Sequence, residues 1–257
     1  MINVREPLDL FRFISIENEN FLVSIANNRD EFGLFSHVHG LYRPAMSNVN
    51  VTENEAVIFQ LITFIHYHLL FSTSCLIRCH LSEAFASARA AIDAALIGAM
   101  IIKDRSLQVA YAKRERPFDK LNRHLRNFVR DKKPLPHHHV GELLKLHDKC
   151  SAFASHADIG SFVHRIDFSR PSDQSDPMMT VEYFQFAKNQ IERKIHCLAL
   201  LFTFVMILDV FSDFLVFENE VVPLDWQNEL HGLGAKIEKL NDELKVELGQ
   251  SNPGEPK

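Results

Sequence analysis

The sequence contains few of the residues that interrupt helices and form tight turns. It has only 9 glycines and 10 prolines in 257 residues, whereas 21 phenylalanines contribute to a hydrophobic share of 46%. Tight turns depend on Gly and Pro, so this composition argues against an all-β fold built from many hairpins. The apolar share is ordinary for a packed globular protein. We therefore expect an all-α fold with a sizeable core.

Cysteine is also scarce, and its spacing does not indicate redox chemistry or a zinc motif. The four cysteines are Cys75, Cys79, Cys150 and Cys197, and they contain no C-x-x-C pair. The N-terminal stretch mixes charged residues into what would have to be an apolar signal segment, so no secretory signal is expected. We interpret the cysteines as core residues of a cytoplasmic protein.

Common catalytic signatures are absent as well. The sequence has no Gly-rich phosphate loop, no G-x-S-x-G elbow and no H-E-x-x-H motif. This argues against the common NTPases, the α/β-hydrolases and the zincins. From the sequence we expect neither a cofactor nor a metal site.

Helical patterns extend over most of the chain from Thr52 onward. Thr52 and Glu55 form a capping-box pattern that predicts the start of a helix, and apolar residues at helical spacing follow to residue 130 and from 140 to 159. Residues 178–217 are helical in pattern over about 60 Å, so a bend is expected there. We predict a poorly defined segment packed on the bundle (1–50), a bundle of six to eight helices (51–248) and a disordered tail (249–257).

The last predicted helix carries a heptad pattern about three repeats long. Its apolar positions are Trp226, Leu230, Leu233, Ile237, Leu240 and Leu244. This stripe could pack on the chain's own bundle or form a homodimer through residues 226–244. The pattern does not decide between the two.

Two segments, 56–77 and 197–217, are long and apolar enough to raise the question of a membrane. Asp209 and Asp213 would lie inside the second segment, and each would cost roughly 2.5 to 3.5 kcal/mol on insertion. The mean hydropathy of the chain is −0.08, which is low for a protein with several spans. We favour buried core helices over membrane spans.

Charge is distributed unevenly along the chain. Residues 103–133 hold eleven Lys or Arg against four acids, a balance of +7, and the whole chain is −5, which leaves −12 for the rest. A basic face of this kind attracts RNA or DNA, unless its charges pair with acids elsewhere, such as those of the C-terminal helix. The predicted nucleic-acid-binding residues are Arg116, Lys120, Arg123, Arg126 and Arg130.

Four charged residues fall within otherwise apolar helices and are predicted to be buried. Arg89 and Asp93 are four residues apart, which predicts an ion pair on one helix face. Asp209 and Asp213 lie on the most apolar helix, where a buried acid must find a partner or take up a proton. His68, His196 and Arg89 are the candidate partners.

The histidine run His137–His139 follows Pro136, and we expect these rings to be exposed in a loop or first helical turn. Arg130 and His137, with six residues between them, resemble the R-x(4-6)-H pattern of the all-helical HEPN ribonucleases. That resemblance would make this Arg and His act on an RNA phosphate without a metal.

The function expected from the sequence is that of a non-enzymatic helical binding or scaffolding protein that could contact nucleic acid through the 103–133 face. A HEPN-like ribonuclease is the first alternative. A membrane-associated helical protein is the second.

Overall fold

The computed structural model describes residues 9–47, 52, 55–154, 166–169, 178–181, 184, 187 and 189–251. Over these residues the chain folds as an all-α bundle, as predicted, with one short hairpin added. The helices are α1 (Leu10–Asn27), α2 (Arg29–Tyr42), α3 (Ala56–Ile77), α4 (Leu81–Lys103), α5 (Leu107–Ala112), α6 (Leu121–Arg130), α7 (Val140–Ala154), α8 (Gln190–Asp209) and α9 (Leu224–Ser251). The hairpin pairs β1 (Ile166–Ser169) with β2 (Met178–Val181) in antiparallel fashion.

Helix α4 lies at the centre of the bundle and packs on α3, α7 and α8. Its buried face is rich in alanine, with Ala88, Ala91, Ala95 and Ala99 all at 2% exposure or less. Small side chains let neighbouring helix backbones approach closely, and the surrounding core supplies the larger apolar groups. The three- and four-residue spacing in the sequence therefore predicted the buried face of α4 correctly.

The N-terminal segment is better ordered than the sequence indicated. Residues 1–50, predicted as poorly defined, include α1 and α2, and these two helices bring the count above the predicted six to eight. The Tyr42 hydroxyl donates to the carbonyl of Phe204 at 2.8 Å, and the Trp226 indole N–H donates to the carbonyl of Leu41 at 2.9 Å. These two buried hydrogen bonds attach α2 to α8 and α9.

The long helix predicted over 178–217 begins later than expected. Residues 178–181 form β2, and α8 starts at Gln190, where the Asn189 side chain accepts a hydrogen bond from the Glu192 amide at 2.8 Å. Strand pairing and an Asn N-cap override the helical pattern there. The predicted interruption is present, because α8 ends at Asp209 and a π-helix covers Phe214–Glu218.

Other boundaries agree more closely with the sequence. The Glu55 carboxylate accepts from the Thr52 amide at 3.1 Å, which is one half of the predicted capping box, ahead of α3. Helix α6 ends at Arg130, before the KKPLP stretch, as predicted. The predicted end of α7 near residue 159 lies outside the described residues, as do residues 252–257 of the predicted tail. The tail prediction is wrong for residues 249–251, because α9 continues to Ser251.

The heptad stripe of α9 packs on α8 of the same chain. Trp226, Leu230, Leu233 and Ile237 are each at 5% exposure or less, and Leu240 and Leu244 are half-buried against the core. Of the two predicted uses of the stripe, the structure shows packing within the bundle. A homodimer through residues 226–244 stays a prediction.

All four cysteines are buried, as the sequence predicted. Burial raises the pKa of the Cys75 thiol to about 11 and the pKa values of Cys150 and Cys197 to about 12. At neutral pH these side chains are therefore protonated thiols that pack as small apolar groups.

Three helices are long and apolar enough to cross a membrane by length and composition alone: Ala56–Ile77, Leu81–Lys103 and the continuous segment Gln190–Glu218. The first and the third contain the two segments, 56–77 and 197–217, that raised the question of a membrane from sequence. In the bundle 83% of the most apolar window in the third segment is buried, against 39% for the first. The third segment is therefore covered by protein, whereas α3 keeps an exposed face.

We predict that Gly98→Ala destabilises the bundle by about 1–3 kcal/mol through overpacking. A Cβ on Gly98 would lie 2.5 Å from the Phe211 ring, which is 1% exposed and has no room to move. Gly232→Ala is the matched control, since its Cβ would meet nothing within 4 Å; it should stabilise α9 by about 0.5–1 kcal/mol. Urea denaturation measures both, and equal effects would contradict the prediction.

We predict that His66→Gln reduces the loss of stability between pH 7 and pH 5. Burial, and the neighbouring His39 at 2.9 Å, lower the pKa of His66. Below the unfolded pKa of about 6.5 the unfolded chain therefore takes up a proton that the folded chain resists, and stability falls as pH falls. Thermal denaturation over this pH range should show a smaller decline in the variant, and an unchanged decline would contradict the prediction.

Candidate functional site

The predicted basic face is an exposed surface of the bundle. Helix α6 buries Leu121 and Leu125 and directs its cations outward. The predicted binding residues Arg116, Lys120, Arg123, Arg126 and Arg130 are all exposed. Since the buried leucines of α6 recur four residues apart, Arg123, Arg126 and Arg130 fall on the solvent side of the helix, whereas Arg116 and Lys120 precede it.

Only some of the cations in this face have counter-charges. Arg126 makes a two-pronged pair with Asp148 at 2.6 and 2.8 Å. Arg130 and Lys133 lie 3.0 and 3.7 Å from Asp131, and Arg105 pairs with Glu218. Seven others are exposed and have no carboxylate within 4.0 Å among the residues that the structure describes; we call them the basic surface. They are Lys103, Lys113, Arg114, Arg116, Lys120, Arg123 and Lys132.

An open groove runs through the basic surface. Phe118, Asp119, Lys120 and Arg123 line it, and Asp93 and Asn122 form part of its wall, so two cations and two carboxylates face the groove. The Tyr111 and Phe118 rings meet edge to face with centroids 5.4 Å apart. The groove thus combines cations with a half-buried aromatic ring.

Asp93, Asn122 and His147 form a polar cluster at the wall of this groove and connect α4, α6 and α7. The Asn122 amide of α6 donates to the Asp93 carboxylate of α4 at 3.1 Å, and His147 of α7 lies 3.4 Å from the same oxygen. Burial raises the pKa of Asp93, but these two partners outweigh it and hold the pKa below its usual value. The predicted partner Arg89 is exposed on α4, so the prediction that it is buried is wrong.

A second group, the histidine–aspartate cluster, surrounds the carboxylate of Asp209 and consists of His137, His138, His139, Asp209 and His231. Asp209 ends α8 and is 5% exposed. Its Oδ2 lies 2.9 Å from Nε2 of His139 and 3.7 Å from Nε2 of His138, and its Oδ1 lies 2.8 Å from Nε2 of His231. The residue before α7, the end of α8 and the middle of α9 therefore meet at one carboxylate.

The charges of this cluster follow from its burial and contacts. Burial alone would raise the pKa of Asp209, but hydrogen bonds from His139 and His231 hold it well below its usual range. Burial, with the neighbouring His138 and His139, lowers the pKa of His137 to about 4 against the attraction of Asp209 and Asp213. The cluster at neutral pH therefore contains an ionised carboxylate beside a neutral imidazole.

The sequence identified Asp209 as a buried acid but named the wrong partners. His68 is hydrogen-bonded to Ser87 at 2.7 Å, and Arg89 is exposed. Asp213, also predicted to be buried, is exposed and accepts from the Gln227 amide at 3.2 Å. The expectation of three exposed rings at 137–139 holds for His138 alone, because His137 and His139 are half-buried against Asp209.

The structure gives the Arg130 and His137 side chains different surroundings. Arg130 lies exposed at the end of α6 with Asp131, whereas His137 lies among the imidazoles next to Asp209. Within the described residues, no contact links the side chains of Arg130 and His137. The ribonuclease assignment of these two residues stays a prediction.

A scan of protein-family models, a search of curated proteins and a search of solved structures found no match to this chain.

We predict that Asp209→Asn lowers the free energy of unfolding by about 1.5–3 kcal/mol, the contribution of a hydrogen bond to a charged group. The amide keeps one acceptor oxygen and turns an NH2 group toward the second imidazole, so one of the two contacts is lost. Asp213→Asn is the control, because that exposed carboxylate should change stability by less than about 0.5 kcal/mol. Chemical denaturation at neutral pH measures both, and equal losses would contradict a special role for Asp209.

Proposed function

We propose that this protein is a non-enzymatic helical binding protein that contacts single-stranded nucleic acid through the basic surface. The observation that carries the proposal is the set of seven exposed cations without a neighbouring carboxylate in the described part of the chain. Phosphates would supply the missing counter-charges.

The alternative use of these charges was neutralisation by acids of the C-terminal helix. Three of the six acids in α9 instead have partners outside the 103–133 face: Asp242 lies 2.9 Å from Lys245, Glu243 lies 3.8 Å from Lys239, and Glu229 lies 2.6 Å from His37. The acids that do pair with the 103–133 face are Asp131, Asp148 and Glu218. Because they neutralise only part of it, a net positive field remains at the surface.

The groove gives this field a shape suited to a single strand. Proteins that bind single strands combine a positively charged groove with aromatic side chains on which bases stack. Lys120 and Arg123 supply cations at the groove beside the carboxylates of Asp93 and Asp119, and Phe118 supplies an aromatic ring; the excess of positive charge comes from the exposed cations around it. Since no base-reading pattern is evident in these side chains, we propose binding with little sequence preference.

We predict that the triple variant Arg116→Gln, Lys120→Gln, Arg123→Gln binds single-stranded RNA more weakly and with less salt dependence than the wild type. Each phosphate contact on a single strand contributes about −0.7 to the slope of log K against log salt, so losing three should make the slope less steep by about 2. Fluorescence anisotropy with a labelled oligonucleotide at several salt concentrations measures affinity and slope together.

A matched control removes three charges outside the basic surface. Lys236, Lys239 and Lys245 of α9 are exposed, and their replacement by Gln changes the net charge equally but should leave the slope unchanged. The double variant Arg126→Gln, Arg130→Gln should have a smaller effect per charge than the triple variant, since Asp148 and Asp131 already neutralise those two residues. Equal losses in the triple variant and the lysine control would reduce the interaction to net charge and overturn the proposal.

Membrane association is the second candidate, because α3 exposes a stripe of large apolar side chains. Phe64, Tyr67, Leu70 and Phe71 are 45–58% exposed, at the spacing of one helix face. Exposed apolar patches of this kind mark interaction surfaces. Sedimentation of the wild type with lipid vesicles, together with no retention of RNA at low salt, would favour this function over nucleic-acid binding.

A further inference from the structure

The histidine–aspartate cluster has the composition of a transition-metal site. We propose that His137, His138 and Asp209 bind one divalent ion of the zinc class. These residues each offer one ligand atom, and the three atoms lie within 4.8 Å of one another. Two imidazoles and one carboxylate are a ligand set that zinc takes in proteins, with a fourth position left for water or for a substrate.

The spacing requires only a small contraction. Tetrahedral zinc with ligands at 2.0–2.2 Å places neighbouring ligand atoms about 3.4 Å apart. The His138 side chain is 70% exposed, so it can rotate toward the ion without disturbing the core. Nδ1 of His137 accepts a hydrogen bond from the His139 amide at 3.2 Å; the ring keeps this contact if it coordinates through Nε2 and gives it up if it coordinates through Nδ1.

The remaining two histidines are placed to hold the carboxylate ligand. Both oxygens of Asp209 accept from imidazoles, at 2.9 Å from His139 and 2.8 Å from His231. Each carboxylate oxygen has two lone pairs, so Asp209 can bind an ion and keep these contacts. Hydrogen bonds of this kind orient ligands in metal sites and contribute to affinity.

A second carboxylate lies in the same region. Asp213 lies close enough to attract positive charge on His137 and His138, which brings a second carboxylate to the same region. A purely structural cluster needs only His139 and His231 to satisfy Asp209. The metal site explains why two further imidazoles, those of His137 and His138, also lie within 4.8 Å of Asp209.

The test uses the full chain without a histidine tag, stripped with a chelator and titrated with Zn²⁺ by calorimetry and with Co²⁺ by visible absorption. We expect one ion per chain, Co²⁺ bands of the intensity typical of a tetrahedral site, and a higher Tm with Zn²⁺. His231→Ala, which removes a support of Asp209 rather than a ligand, should lower the affinity about 10- to 100-fold. His138→Ala should lower it at least as much.

His37→Ala is the control, because this exposed histidine also contacts one carboxylate, Glu229, at 2.6 Å but has no place in the proposed site. It should leave the stoichiometry, the Co²⁺ bands and the affinity unchanged. Circular dichroism should show that His138→Ala is folded, because the His138 side chain is 70% exposed. Absence of stoichiometric binding by the wild type, or equal behaviour of His138→Ala and His37→Ala, would overturn the proposal.

Discussion

The negative charge of a buried carboxylate needs hydrogen-bond donors or positive charge beside it. The arrangement of this bundle depends on the groups that meet this need at Asp209. Taking an ionised carboxylate out of water costs several kcal/mol unless charged or hydrogen-bonding groups surround it. Here the groups come from the residue before α7 and from the middle of α9. The position of both helices relative to α8 is therefore constrained by one side chain, in addition to the apolar packing around it.

The cations of the 103–133 region are arranged more simply, on the exposed side of the bundle. Helix α6 has an apolar face covered by the bundle and a cationic face in solvent, and its acidic partners satisfy only part of that charge. Positive charge left at a surface repels itself and therefore weakens the fold slightly, unless a polyanion is bound. The two charged regions thus differ: the charge of Asp209 is met by imidazoles inside the bundle, whereas the basic surface keeps exposed cations that the described carboxylates do not neutralise.

The sequence predicted what depends on local pattern. Apolar residues at three- and four-residue spacing predicted α3, α4, α6 and most of α9, and the cluster of cations in 103–133 predicted an exposed face, because each signal is local in the sequence. The partners of Asp209 were missed because His139 is 70 residues away in sequence and only tertiary packing brings it near. The hairpin was missed because Met178 and Met179 favour helices, and the pairing with β1 that overrides this preference is not visible locally.

The buried cysteines have a practical consequence for work on this molecule. With all four thiols covered and the pKa values of three of them at about 11 or 12, thiolate is scarce at neutral pH and alkylating reagents have no ready target in the folded chain. A single cysteine introduced on an exposed face would then be the one site that such reagents modify rapidly. Spectroscopic probes can be attached to chosen surfaces without first removing the natural cysteines.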